Sequence, residues 1–473
     1  MTLAPGGLRD PAGEAALREG PGREGRAVWW GWAGVFFALY TVFSLARHRN
    51  LQTTGYDLGI FTQAVRGYAA LGAPRSDLLG WDFNLYGDHF HPVLATLVPL
   101  YWLWPDARVL LVAQAGLLAL AAVPLAGLAA RRLGRGAGHA VAVAFGLSFG
   151  VQGAVAFDFH EVAFAAPALS WAMAALVEGR YRAALWWTVP LLAVKEDLGL
   201  TVAAVGLVFM IRRQVQPGLL LCAAGFSCFA VLVGVLIPAA SPSGVYPHFP
   251  PGGEQSLLSQ LDAGLKSLFW PEEKTATLIL TAGLTCGLAL RSPVALAALP
   301  GIAVRFLSAS PSYWGTGLHY SLTAMPVLFA AALDAQPKWA RSRHALWRGL
   351  GRHTAAAFLI AAAPLSGTGP LQSFLLHPAR AFETTPQARA AHSLLRQIPD
   401  GATVEATNSL SPHLAHRTRV YSWPLTRRLP QYAVINLRDS WPAAPQDRAA
   451  ELLSRGYQLL ALQESIALLR QPG

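Results

Sequence analysis

The chain has 473 residues, 53% hydrophobic and only 13% charged. Charged residues at about half their usual share argue against an ordinary soluble enzyme and for a membrane protein. The net charge of +11 points to membrane topology rather than nucleic acid, because the basic residues collect in short loops between apolar runs.

Residues 1–27, rich in Gly, Pro, Arg and Glu, read as a disordered cytoplasmic N-terminus. The apolar run Val28–Ala46 follows without a clear small-residue cleavage site and reads as a retained anchor rather than a signal peptide. A spanning helix needs about 20 apolar residues. Further candidates are Ala107–Ala130, Gly138–Phe157, Val162–Val177 and Pro217–Pro238. Shorter runs cover Ala183–Val194, Leu198–Ile211, Thr275–Leu290, Pro293–Leu307, Leu318–Leu333 and Thr354–Ser366. The expected fold is an all-α polytopic membrane domain over 28–366 with about eleven transmembrane helices and a long outer loop, 47–106. Within that loop, His91–Trp104 is short and rich in Pro and Trp, which suits the headgroup level. The cysteines Cys222, Cys228 and Cys286 lie inside apolar runs and read as small core residues.

Basic residues set the direction. Arg131, Arg132, Arg135, Arg180, Arg182, Arg212, Arg213, Arg291 and the loop Lys338–Arg352 all fall on one side of this arrangement. The positive-inside rule then puts the N-terminus in the cytoplasm and the C-terminus outside, in a cell membrane crossed many times. From residue 367 to 473 the pattern changes. Strand-like pieces (Thr403–Ala406, Arg419–Trp423, Tyr432–Leu437, Gln458–Leu462) alternate with helical ones (Pro386–Gln397, Asp447–Arg455), which predicts a small extracytoplasmic α/β domain. It has no Gly-rich phosphate loop, and the chain shows no internal repeat of the transporter kind.

With this orientation the polar clusters share the outer face. Lys195, one of four lysines against 33 arginines, stands beside Glu196 and Asp197 in an otherwise apolar run. Asp57 and Gln63 lie in "GYDLGIFTQ", and Asp88, His89 and His91 in "YGDHFHP". "FDFHE" carries Asp158, His160 and Glu161. Tyr246, His248 and Glu272 sit in the loop Ala239–Lys274, while Tyr313, His319 and Tyr320 follow Arg305. A charge at the bilayer centre costs at least about 2.5–3.5 kcal/mol on insertion scales, so such groups face water, a cavity or each other. Each cluster also has a plainer explanation. Asp57 can cap a surface helix, Lys195 can form a buried ion pair, and His319 and Tyr320 can anchor an interface. Asp88 with His89 or His91, joined by Asp158, His160 or Glu161, supplies donors for a divalent cation, although nothing in the spacing requires one. Asp77 reads as a loop residue with no convergent partners, and Ser76 as an exposed one.

The pieces "YDLGIFTQAV", "GDHFHPVLATLVPLYWLWP", "FDFHEVAFAAP", "VKEDLGL", "LHYSLTAMPVLFAAAL" and "IPDGATVEATNSLSPHLAHRTRVYSWP" resemble, in this order, a family of predicted bacterial membrane proteins named only as domain of unknown function 2079. More distantly, the layout resembles polytopic glycosyltransferases of the GT-C class. These carry an acidic motif after the first span, a long first outer loop and an outer C-terminal domain. Here Leu58 and Gly59 follow Asp57 where such enzymes often hold an adjacent acid. The resemblance implies transfer of a sugar from a polyprenyl-phosphate carrier to an acceptor that the sequence does not name. Asp57 would then be the catalytic base, and Lys195, Arg305 and His319 would face the phosphate. Asp88, His89, His160, Glu161, Glu196, Asp197 and Tyr320 would line the substrate. The implied partners are membrane lipid and the lipid-linked sugar, with no nucleic acid. No cofactor is required, a divalent cation being the one candidate. The same charges would also suit a transporter path, and the outer domain would suit a non-catalytic scaffold.

Overall fold

A computed structural model describes residues 23–248, 266, 270–308, 310–366, 369–441 and 444–472. Most of the expected N-terminal segment, and Ser256 with much of the loop Ala239–Lys274, lie outside the described residues. The first helix runs Arg23–Arg49 and packs along Arg108–Leu133, which in turn packs on Arg135–Gly146 and Ala165–Val177. Phe36, Tyr40 and Phe43 meet Leu118, Leu125 and Phe145 in one apolar core rich in alanine. Inside it, the Tyr40 hydroxyl donates to the Gly146 carbonyl at 2.7 Å, because a buried hydroxyl without an acceptor is costly.

Among the described residues three helices are long and apolar enough to cross a membrane: Ala27–Arg49, Arg108–Leu133 and Val215–Ala240. A fourth crossing results if Arg135–Gly146 and Phe149–Ala156, bent by 43°, form one span. Helix length thus supports three or four crossings and does not establish about eleven. Other expected spans are shorter helices, among them Glu161–Val177, Leu198–Ile211 and Pro293–Leu307. Several of them begin or end at a polar turn, and an apolar run alone cannot tell a short buried helix from a crossing one.

Close backbone contact fixes one such turn. Helices Leu198–Ile211 and Val215–Val231 form a tight hairpin. A Cβ at Gly206 would stand 2.6 Å from the Gly218 carbonyl oxygen, and one at Gly199 2.7 Å from that of Gly225. Small residues let membrane helices approach this closely. The hairpin carries Lys195–Asp197 at one end and Arg212 near the other. At that second end Arg131 pairs with Glu178 (2.5 Å), Arg212 with Asp334 (2.6 Å), and Arg132 donates to the Val177 carbonyl (2.9 Å). These cations sit where helices end and carbonyls are left free, so they complement the helix dipoles.

A short antiparallel ribbon, β1 (Arg75–Ser76) and β2 (Phe83–Asn84), lies in the first loop. The C-terminal region holds a five-stranded sheet of β3 (Thr403–Ala406), β4 (Arg419–Tyr421), β5 (Tyr432–Asn436), β6 (Gln458–Gln463) and β7 (Ile466–Arg470), in the order β4-β3-β5-β7-β6. β3 is parallel to β4 and β5, whereas β7 is antiparallel to both its neighbours. Strand alternation divides the core. Val404, Val434 and Leu468 pack under helix Pro386–Leu395, while Ala433, Ile435 and Leu469 pack with Leu452 of helix Pro445–Ser454. Four strands match the expected segments, and β7 is an addition.

This sheet region docks on the first loop. Gln63 donates to the Val420 carbonyl at 2.7 Å, and Asp77 accepts two bonds from Arg419 at 2.9 and 3.0 Å. Asp77 therefore has a convergent partner, contrary to the sequence expectation. Ser76 is buried and donates to Gln63 at 2.7 Å, so it is not an exposed loop residue. Arg419 lies 342 positions from Asp77, and Gln63 lies 13 positions from Ser76 on a separate helix, so neither contact shows in a local pattern.

Candidate functional site

Asp57 lies in the turn Gly55–Gly59 with φ +86° and ψ −79°, a strained backbone of the kind that persists only when its surroundings enforce it. The enforcement comes from the sheet region. Asn408 accepts from the Gly55 amide through its carbonyl (2.7 Å) and from the Tyr56 amide through its side chain (3.0 Å). A Cβ at Gly55 would lie 2.7 Å from that of Ser411. The "NSLS" segment thus presses on the turn that presents Asp57.

The "FDFHE" turn is held from two sides. Asp158, at φ +71°, accepts from the Thr54 amide at 2.6 Å, and Gln114 accepts from the His160 amide at 2.9 Å. A Cβ at Gly153 would lie 2.6 Å from the Leu318 carbonyl oxygen. That approach sets the His160 and His319 rings in a stack with centroids 3.6 Å apart. Glu161, fully buried, lies between Lys195 Nζ at 3.3 Å and His160 Nδ1 at 2.8 Å.

A third contact joins the first loop to the 196 turn. His89 Nδ1 is 2.6 Å from Glu196 Oε1, the Phe90 amide donates to Oε2 at 3.1 Å, and the Tyr246 hydroxyl donates to Oε1 at 2.9 Å. A Cβ at Gly87 would lie 2.5 Å from the Ala240 carbonyl oxygen. This close approach carries His248 to Asp88 (2.9 Å) and stacks it on His89 with centroids 4.0 Å apart.

These groups share one electrostatic environment. Burial, reinforced by Glu161 and Asp158, pushes the Asp57 carboxyl well above the usual carboxylate range, against the pull of Lys195 and His89. Burial alone would lower His89, but Glu196 and Asp88 hold its imidazole up at about 9, so it is a cation at neutral pH. Burial likewise raises Asp197 to about 6, whereas His89 and Lys195 overcome burial at Glu196 and bring it to about 2. Neighbouring carboxylates thus hold different charge, the arrangement from which acid and base roles are built. Both His319 ring nitrogens and Asp197 Oδ1 are buried without a hydrogen bond among the described residues, while the Glu161 oxygens are held by Lys195 and His160. Unsatisfied buried polar atoms are rare in folded proteins and concentrate at functional centres.

The structure thus brings together Asp57, Asp88, His89, His160, Glu161, Lys195, Glu196, Asp197 and His319. Tyr320 stacks on Tyr313 at 4.3 Å and lies 4.1 Å from His319. Arg305 lies against Tyr320, its guanidinium 6.0 Å from the ring centroid. Its guanidinium donates to the Tyr313 carbonyl (2.8 Å), the Gly315 carbonyl (2.6 Å) and the Ser321 hydroxyl (3.1 Å). Three of its five N–H groups thus fold the 313–321 loop. Tyr246 and His248, an outer-face cluster in the sequence with no assigned role, join Glu196 and Asp88, and Asn408, which the sequence did not mark, joins through the tertiary fold.

A divalent cation finds its closest donor set at Asp88, His89 and His248, whose ligand atoms lie within 4.8 Å of one another. His160 and Glu161 are instead engaged with each other and Lys195. One carboxylate and two imidazoles suit zinc or a similar ion in chemical type. The ion must displace one proton of the His89 cation, while Nδ1–H can keep its bond to Glu196.

Residues 47–461 match DUF2079, described as a predicted membrane protein. No curated protein matches the chain. Among solved structures, ArnT from Cupriavidus metallidurans bound to undecaprenyl phosphate superposes with a TM-score of 0.55 at 13% identity, over 94% of this chain and 99% of that one. ArnT in the apo state gives 0.49 at 15% identity with the same coverage. The first likeness establishes a shared fold, and the span of the DUF2079 match establishes kinship: the chain belongs to the DUF2079 family of predicted membrane proteins.

Proposed function

We propose that this membrane protein transfers a sugar from a polyprenyl-phosphate carrier to an acceptor hydroxyl at the outer face of the cell membrane. The N-terminus would lie inside, and 367–473 would form an outer α/β domain. The carrying observation is the position of Asp57 on an enforced left-handed turn, within the charge field of Lys195, His89 and Glu161. A general base works best when its pKa approaches the working pH, and the raised carboxyl of Asp57 moves in that direction. Asp57 would take the acceptor proton. Lys195 and the His89 cation would stabilise charge on the departing phosphate. Glu161, Glu196 and Asp197 would orient those cations, and His160, His319 and Tyr320 would line the sugar or the carrier. A divalent ion held by Asp88, His89 and His248 would take the place of the His89 charge and supply Lewis-acid stabilisation of phosphate instead. The fold shared with a protein crystallised with undecaprenyl phosphate supports a lipid-linked donor.

The test is direct. Purified protein in nanodiscs is given a polyprenyl-phosphate-linked sugar, and bound donor and released polyprenyl phosphate are both measured. Saturable binding with acceptor-dependent release is expected. A protein that binds no such donor is not a transferase of this kind, and transport across the bilayer would become the leading alternative.

A further inference from the structure

A second polar cavity, of about 560 Å³, lies between the outer end of the first helix, the start of helix Arg108–Leu133 and the sheet region. Its wall combines Leu45 and Trp104 with Arg49, Arg108, Arg396 and Arg417, against the single carboxylate of Asp106. The histidines His48, His392, His413 and His416 complete it. None of these residues belongs to the Asp57–Lys195 cluster.

Its groups differ in how far they are engaged. Arg417 is taken up by the Ile398 and Leu395 carbonyls and by Asp400, and Arg108 is bound twice by Asp106 at 2.8 Å. Arg396 is exposed, and no hydrogen bond or ion pair engages its guanidinium among the described residues. Inside, Arg49 Nε, His413 Nε2 and His416 Nδ1 are buried without a partner among the described residues. His48 and His413 stack at 4.0 Å. A cavity wall that sets four guanidiniums against one carboxylate fits an anion with several acceptor oxygens.

Depth identifies the source of that anion. Next to Trp104, Trp102 and Leu103 are 61% and 85% exposed, and Phe382 on the sheet-region side is 75% exposed. Exposed indole beside exposed leucine belongs at the boundary between acyl chains and headgroups. Arg108, whose guanidinium lies 5.1 Å over the Trp104 ring, stands at that same boundary. We infer that this cavity is a second binding site, for the phosphate of an anionic membrane lipid whose chains run along Leu45 and Trp104.

The full chain in detergent would be titrated with dihexanoyl phosphatidylglycerol, dihexanoyl phosphatidylcholine and inorganic phosphate, with affinity read from the shift in melting temperature. Phosphatidylglycerol should saturate and bind more tightly than the other two. Arg396→Gln, which breaks no internal contact, should weaken it about fivefold, the usual contribution of one basic residue near an anionic headgroup. Asp106→Asn should tighten it, since it removes the one opposing charge. Inorganic phosphate binding as tightly as phosphatidylglycerol would overturn the lipid as the source. Equal binding of phosphatidylcholine, or no response to either substitution, would overturn the site.

Discussion

The two ends of the helix bundle use charge in opposite ways. At the end carrying Arg131, Arg132 and Arg212, arginines meet carboxylates that are partly exposed or that also have a second donor, as Asp334 has in Ser292 at 2.6 Å. Each pair closes a helix terminus and leaves little unmatched. At the other end Glu161 and Glu196 are buried, their cations are one lysine and imidazoles, and several polar atoms lack hydrogen bonds. The first arrangement stabilises the fold locally, while the second maintains unresolved charge in a protected place. Paired charge buried this deeply is difficult to explain by stability alone, since desolvation can exceed the attraction within each pair.

If the contrast also marks the two sides of the membrane, labelling should be all or none. A cysteine replacing exposed Gln397 should react with an impermeant maleimide on intact cells, and one replacing Ser342 should not. Labelling of Ser342→Cys alone would invert the topology and place the cluster inside.

The next largest effect contrasts single pairs from each end. Lys195→Met leaves Glu161 buried without its cation and should cost roughly 3–5 kcal/mol of stability, with donor turnover lost as well. Adding Glu161→Gln should recover most of the stability but not the turnover. Arg131→Gln leaves Glu178 its bond to Arg180 at 2.6 Å, so a change below about 1 kcal/mol is expected. Similar melting temperatures for the two single variants would erase the distinction between the ends.

A smaller effect follows from His89. Its folded pKa, about 9, lies above its unfolded value of about 6.5. Its contribution to stability is thus complete below about pH 6.5 and is lost as pH rises towards 9. Melting temperature across that window should fall more in the unaltered protein than in His89→Gln. Parallel curves would mean that Glu196 does not hold the proton on His89.

Much of this contrast was legible in the sequence. Lys195-Glu196-Asp197 and "FDFHE" stood out because charge inside apolar runs demands a partner, and the structure makes Glu161 the partner of Lys195. What was illegible depends on distance in sequence or on capacity. His248 lies 160 positions from Asp88, and their meeting depends on the approach of Gly87 to Ala240. Arg305 holds its own loop through three local acceptors, two of them backbone carbonyls, which leave no side-chain signature. The hairpin of β6 and β7 turns at Glu464 and Ser465, both at positive φ, without the Asn-Gly or Asp-Gly pair that announces such turns. The number of crossings is not fixed by either reading, because hydropathy reports burial in protein and in lipid alike.

The most direct measurement is single-turnover transfer by Asp57→Asn. The amide keeps the size of the carboxyl but cannot accept the acceptor proton. The variant should bind polyprenyl-phosphate sugar about as tightly as the unaltered protein and transfer it about 10²–10⁴-fold more slowly. Transfer at the full rate, with binding intact, would contradict the assignment of Asp57 as the base.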